Sequence, residues 1–156
     1  MRSKLLTLLG AAMLVGALVL PSLVLAGSNP ANKLKAHMTG AQVVPSGQGA
    51  PGGDGNARVT LRPAKQKICF RITYRSIGPT EGLKAAIYKG KKGQNGDNVV
   101  PLFTGQRSSP VEGCAKNVAK ANMKAIRNDP KSFHITVKTD KYQNSGAIRG
   151  QLKPRS

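Results

Sequence analysis

The sequence predicts an all-β domain: a Greek-key β-sandwich of about seven or eight short strands with one short helix, preceded by an export segment. Three observations lead there. Apolar and polar residues alternate with period two wherever glycine is sparse, as in Leu34, Ala36 and Met38 set between Lys35, His37 and Thr39. Turns rich in glycine and proline separate these runs at short intervals. Only one stretch has helical spacing, and Pro130 bars its continuation.

At the start of the chain, Arg2 and Lys4 precede the uncharged apolar stretch Leu5 to Leu20, and Pro21 follows. Val24 and Ala26 then stand at −3 and −1 of a cleavage point. This is the pattern of a secretory signal peptide, residues 1–26, and it leaves residues 27–156 as one domain. An uncleaved membrane anchor is the alternative reading. No second apolar run approaches spanning length, so nothing after the signal segment is expected to cross a bilayer.

Lys33 to Thr39 reads as the first strand, followed by a glycine-rich loop from Ser46 to Asn56. Ala57 to Leu61 and Ile68 to Tyr74, rich in β-branched and aromatic residues, form a hairpin around the polar turn Arg62 to Lys67. Leu83 to Tyr88 is a further strand, and Lys89 to Asn98 a basic, glycine-rich loop. Val99 to Phe103 follows, with Pro101 placing it at a sheet edge. Asn117 is read as the cap of the helix, whose Ala119, Met123 and Ile126 follow the i, i+4, i+7 pattern. Phe133, Ile135 and Val137 alternate in the next strand, and Ala147 to Leu152 closes the sheet.

Charge is the strongest compositional signal. The whole chain carries +19, and loss of Arg2 and Lys4 with the signal segment leaves 23 basic against 6 acidic residues, or +17. Such a field attracts anionic polymers, anionic membrane surfaces and acidic proteins; a charge serving solubility alone is the bland alternative. Three Tyr, three Phe and no Trp give no basic-aromatic stripe, so no specific nucleic-acid readout is expected.

The densest basic run is Lys84, Lys89, Lys91 and Lys92 among Gly90, Gly93 and Gly96, where lysines and exposed amides together can grip an anion. It is not a phosphate-binding P-loop, because neither Gly-Lys-Ser/Thr nor a helix follows. The six acidic residues are scattered, no G-x-S-x-G elbow occurs, and no spacing selects a triad. The expectation is therefore a non-catalytic protein without cofactor. Cys69 and Cys114 are the only cysteines. In an exported chain one disulfide is the natural reading, contributing on the order of 3–4 kcal/mol, with a free thiol as the alternative.

Four segments resemble the CHRD family, the domain named after chordin. Thr39-Gly40-Ala41-Gln42-Val43-Val44-Pro45 is similar to its opening L-[ST]-G-A-x-E-V-P, and Ala85-Ala86-Ile87-Tyr88-Lys89-Gly90 to its A-H-I-H-x-G. Phe133 to Thr139 lies on the Y-V-N-V-H-T segment, and Gly146-Ala147-Ile148-Arg149-Gly150-Gln151-Leu152 matches the closing G-x-I-R-G-Q-L. The resemblance implies an immunoglobulin-like or superoxide-dismutase-like Greek key and supports a Cys69–Cys114 pair, while the signal segment implies a secreted, periplasmic or cell-surface location. It also exposes departures. The family's three histidines are Ala86, Tyr88 and Lys138 here, and its glutamate is Val43.

Residues two apart on a strand share a face, so H-x-H plus a histidine from a neighbouring strand could hold a metal, whereas alanine, tyrosine and lysine do not replace them. No metal ligands are expected, and the lone His37 and His134 read as surface or packing residues. If the strands adjoin, Lys138 would place its ammonium by the ring of Tyr88. Arg149, on the last strand, would fork to a carboxylate or to backbone carbonyls and lock the domain. A structural motif of Gly146, Ile148, Arg149, Gly150 and Gln151 is thus set apart from a candidate ligand-binding set of Lys84, Tyr88, Lys89, Lys91, Lys92 and Lys138. Two readings compete with an anion-binding module: a dismutase-like metalloprotein using other ligands, and a structural envelope or matrix component.

Overall fold

Alternation decides the strands. In a computed structural model, which describes residues 30–155, the chain forms nine of them: β1 (Lys33–Thr39), β2 (Asp54–Arg62), β3 (Lys67–Arg75), β4 (Lys84–Lys89), β5 (Asn98–Thr104), β6 (Val111–Ala115), β7 (Phe133–Lys138), β8 (Ile148–Gln151) and β9 (Lys153–Pro154). The signal-peptide expectation for residues 1–26 lies outside the described residues. In β1 to β3 the inward positions Leu34, Ala36, Met38, Ala57, Val59, Leu61, Ile68, Phe70 and Ile72 are all buried. Each large aliphatic among them contributes ~1.5–3 kcal/mol by leaving water.

The all-β class is observed. All strands belong to one antiparallel ladder in the order β5-β4-β7-β8-β1-β2-β3-β6, with β9 added to β1. The two end strands, β5 and β6, come together, so the two layers expected of a sandwich are halves of one nearly closed, barrel-like sheet. β6 returns beside β3 and β7 beside β4, which are the Greek-key crossings. Side chains from every long strand meet in a single core, where the rings of Phe70 on β3 and Phe103 on β5 stack with centroids 5.9 Å apart. Pro101 does sit on an end strand, where its missing N–H breaks no inner ladder.

Two local expectations need correction. β6 is a strand the sequence did not announce, because Val111 is its only buried residue and Glu112, Gly113 and Cys114 are exposed. The helix, α1 (Lys120–Asn128), is where spacing placed it and buries Met123 and Ile126. Asn117 does not cap it, however: it is in the left-handed region at φ 55, while Ala119 occupies the cap position with no side-chain hydrogen bond. Ala119 is exposed, and Val118 is buried instead.

Cys69 and Cys114 stand directly opposite each other on β3 and β6 and are disulfide-bonded. The bond joins positions 45 apart in sequence and fastens an end strand that has little apolar surface of its own. At the opposite pole of the chain, the last strand returns to the first. Leu34 faces Pro154, Lys35 faces Lys153, and the Arg155 amide donates to the Lys33 carbonyl at 2.8 Å. Among the described residues no helix is long and apolar enough to cross a membrane.

Candidate functional site

The outward positions of β4, β7 and β8 carry mostly polar residues, three of which are nonetheless buried. Register sets Lys84 opposite Lys138, Ala86 opposite Thr136, and Tyr88 opposite His134, with Arg149 and Gln151 continuing the rows on β8. His134, Thr136 and Arg149 are each only 3 % exposed. The cover is the loop of residues 89–98, which folds back over the sheet.

Arg149 holds that loop down. Its guanidinium donates to the carbonyls of Lys91 at 3.1 Å and Gln94 at 2.6 Å, and to the side-chain oxygen of Asn95 at 3.1 Å. Asn95 in turn donates to the Val44 carbonyl at 3.1 Å, tying the loop to the turn after β1. The Gln151 amide nitrogen donates to the carbonyls of Gly90 and Lys131 at 2.7 Å and Phe133 at 2.9 Å. The lock expected of Arg149 is thus made on carbonyls rather than on a carboxylate. The other residues of the closing motif serve the same seat. Gly146 turns the chain into β8 at φ 101, Ile148 is fully buried, and Gly150 admits β1 so closely that a Cβ there would meet the His37 carbonyl at 2.3 Å.

Beneath the loop, the rings of Tyr88 and His134 stack with centroids 5.5 Å apart, and His134 Nδ1 donates to the Gly90 carbonyl at 3.3 Å. The Lys138 ammonium lies 5.4 Å from the Tyr88 ring centroid and donates to the carbonyls of Gln143 at 3.0 Å and Asn144 at 3.1 Å. Burial lowers the Lys138 pKa, helped by the Lys84 charge opposite. Burial also raises the Tyr88 phenol. His134 is pushed down to about 4, first by burial and then by the Arg149 charge, against which the Gly90 hydrogen bond works. It is a neutral packing residue at ordinary pH.

Ala86, Tyr88 and Lys138 share this face, the geometry the resemblance implies for three histidines. They do not fit a metal: a methyl group, a stacked phenol and an ammonium already donating to two carbonyls offer no ligand set. Among the described residues no group of three or more His, Cys, Asp and Glu is placed to hold an ion.

The candidate cations separate into two places. Lys89, Lys91 and Lys92 are exposed on or beside the loop. Lys84 and Lys138 lie at the far end of β4, five residues or roughly 17 Å from Lys89 along the strand. Sequence adjacency groups Lys84 with Lys89, Lys91 and Lys92, whereas Lys138 enters the set through the resemblance. Missing from the sequence reading was Gln151 as a second latch, and the loop's role as a lid over the face. The one available signal was that Arg149 and Gln151 share strand parity.

The CHRD domain family model matches residues 34–152. Comparisons with curated proteins and with solved structures each found no significant match. With its β-rich fold, its disulfide and a match over most of its length, the chain belongs to the CHRD domain family.

Proposed function

We propose that this CHRD chain is an exported, non-catalytic binding module that recognises an anionic partner through the basic loop of residues 89–98. One observation carries the reading. A loop whose backbone is fixed by Arg149, Gln151 and Asn95 presents Lys89, Lys91 and Lys92 to solvent, so its charges need little further ordering to meet a ligand. The partner classes that suit it are an anionic polymer, an anionic membrane surface or an acidic protein, outside the cytoplasm where a disulfide persists. The N-terminal charge and hydropathy pattern supports export, and the scattered acidic residues support a role without catalysis.

The test is binding of the protein to sulfated polysaccharide, duplex DNA and anionic vesicles, each across a salt series. Saturable, salt-weakened binding to one of them, reduced when Lys89, Lys91 and Lys92 become alanine, is the expected result. Equal weak attraction to all three, indifferent to those substitutions, would sink the reading.

A further inference from the structure

The helix packs where a turn of the sheet meets it, and a cleft is left between the two. α1 rests on the core through Met123 and Ile126, and Val118 just before it donates its amide to the Gln66 carbonyl at 3.0 Å. That bond draws the start of the helix against the turn Pro63–Lys65 between β2 and β3. The open cleft measures about 340 Å³ and is lined by Pro63, Ala64, Lys120, Met123, Lys124 and Arg127. Its floor is apolar and its rim cationic. Lys120, Lys124 and Arg127 follow one another at i, i+4 and i+7, so they form one stripe of the helix over about 10 Å of its axis.

These charges are unmatched. None of the three has an ion-pair or hydrogen-bond partner for its charged group among the described residues. The segments that build the cleft supply none, since the sequence holds no acidic residue from 55 to 80 or from 113 to 128. Within the helix, Lys120 and Lys124 repel each other one turn apart, and the first turn contains no acid to offset them. An apolar floor under free cations describes the ligand. Its carboxylates must recur every three or four residues to meet the stripe, with an apolar side chain between them to cover the floor. An acidic polysaccharide has no such side chain. A lipid surface fits no better, because the exposed apolar residues of the turn and the helix are Ala64, Ala121 and Ala125, too short to enter an acyl layer. We infer that this cleft docks an acidic, amphipathic peptide segment of a partner protein. It is a contact independent of the loop of residues 89–98, and its apolar floor narrows the partner to a protein.

The experiment is calorimetric titration of the protein with a synthetic peptide of glutamates and leucines at helical spacing, and with its twin in which every leucine is serine. Three protein variants are compared. Lys120→Gln/Lys124→Gln strips the rim, Lys89→Gln/Lys91→Gln removes the same charge from the loop, and Ala64→Gln plugs the floor at unchanged charge. The rim variant is expected to weaken binding of the leucine peptide by at least about ten-fold, the plugged variant by about three-fold or more, and the loop variant by less than about three-fold. The serine twin should bind at least about five-fold more weakly. The melting temperature of the rim variant is expected not to fall, since both lysines are exposed and their repulsion is relieved. Should the double variant not fold, Lys124→Gln alone must still weaken binding by about three-fold or more. Equal losses in the rim and loop variants mean general charge attraction and overturn the cleft. A loss confined to the loop variant overturns the cleft while leaving the loop reading intact. A serine twin binding as tightly as the leucine peptide overturns the ligand class, as do anionic vesicles that bind through Lys120 and Lys124 when the peptide does not.

Discussion

Two outward faces of the same curled sheet obey the same alternation and end up opposite in character. On β4, β7 and β8 the outward His134, Thr136 and Arg149 are polar but buried, because a loop lies over the face, and Arg149 and Gln151 donate to carbonyl and amide oxygens of that loop. On β1, β2 and β3 many are charged and open, with Asp54 beside His37 and Arg75 and with Glu112 beside Arg71. The covered side is held by hydrogen bonds to loop backbone, the open side by a covalent bond between its last two strands. Polarity on a strand therefore does not tell which way solvent lies; what decides is whether a neighbouring loop has backbone groups to offer.

The largest effect should come from the covalent side. Replacing Cys69 and Cys114 together by serine is expected to lower stability by about 3–4 kcal/mol in urea unfolding, with the amides of β6 exchanging faster first. A loss below about 1 kcal/mol would mean that β6 is held by packing after all.

On the covered side, Arg149→Met strands two loop carbonyls and the Asn95 oxygen, and about 2–4 kcal/mol should be lost, with faster exchange across residues 90–96. Arg58→Met on the open face should change stability by no more than about 0.5 kcal/mol. Similar values for the two arginines would erase the distinction between the faces.

Acid separates the faces next. His134 is neutral in the fold and protonates near pH 6.5 when unfolded, so below that pH the unfolded chain holds the extra proton. Its contribution, on the order of 2–3 kcal/mol, is present above pH 6.5 and is lost as pH falls toward about 4. Asp54 behaves otherwise: its carboxyl is held below the ordinary range, chiefly by the His37 hydrogen bond, so its contribution survives until pH falls through that lower value. Unfolding curves between pH 7 and 4 should thus show a slope that His134→Phe flattens and Asp54→Asn leaves in place.

The smallest effect belongs to Lys138→Met, about 1 kcal/mol from the lost Tyr88 contact and two carbonyl bonds. Thermal melts at matched ionic strength will detect it, and an unchanged melting point would show that the ammonium is as well solvated without them.

How much of this was legible depends on whether neighbours in space are neighbours in sequence. β1 was readable to the residue because its burial alternates without a break, and the hairpin of β2 and β3 because a short polar turn joins two alternating runs. β6 was not, since one buried valine gives no period. Asn117 has the chemistry of a cap but stands two residues too early, with its backbone in the left-handed region. The Tyr88 and Lys138 contact could be anticipated because the resemblance implied which strands adjoin. The cleft beside α1 could not: its turn and its helix are distant in sequence, and only the bond from Val118 to Gln66 and the shared core bring them together.

The pairing of β9 with β1 has a consequence for how such a domain is carried. Arg155 and Lys33 are joined by a backbone hydrogen bond, so the two ends of the described sheet lie side by side. A host polypeptide could open one of its own surface loops at a single point and receive the whole unit there, with almost no gap to span and little loop-closure entropy lost. The domain is in that sense a pendant, able to hang from a longer chain without interrupting it.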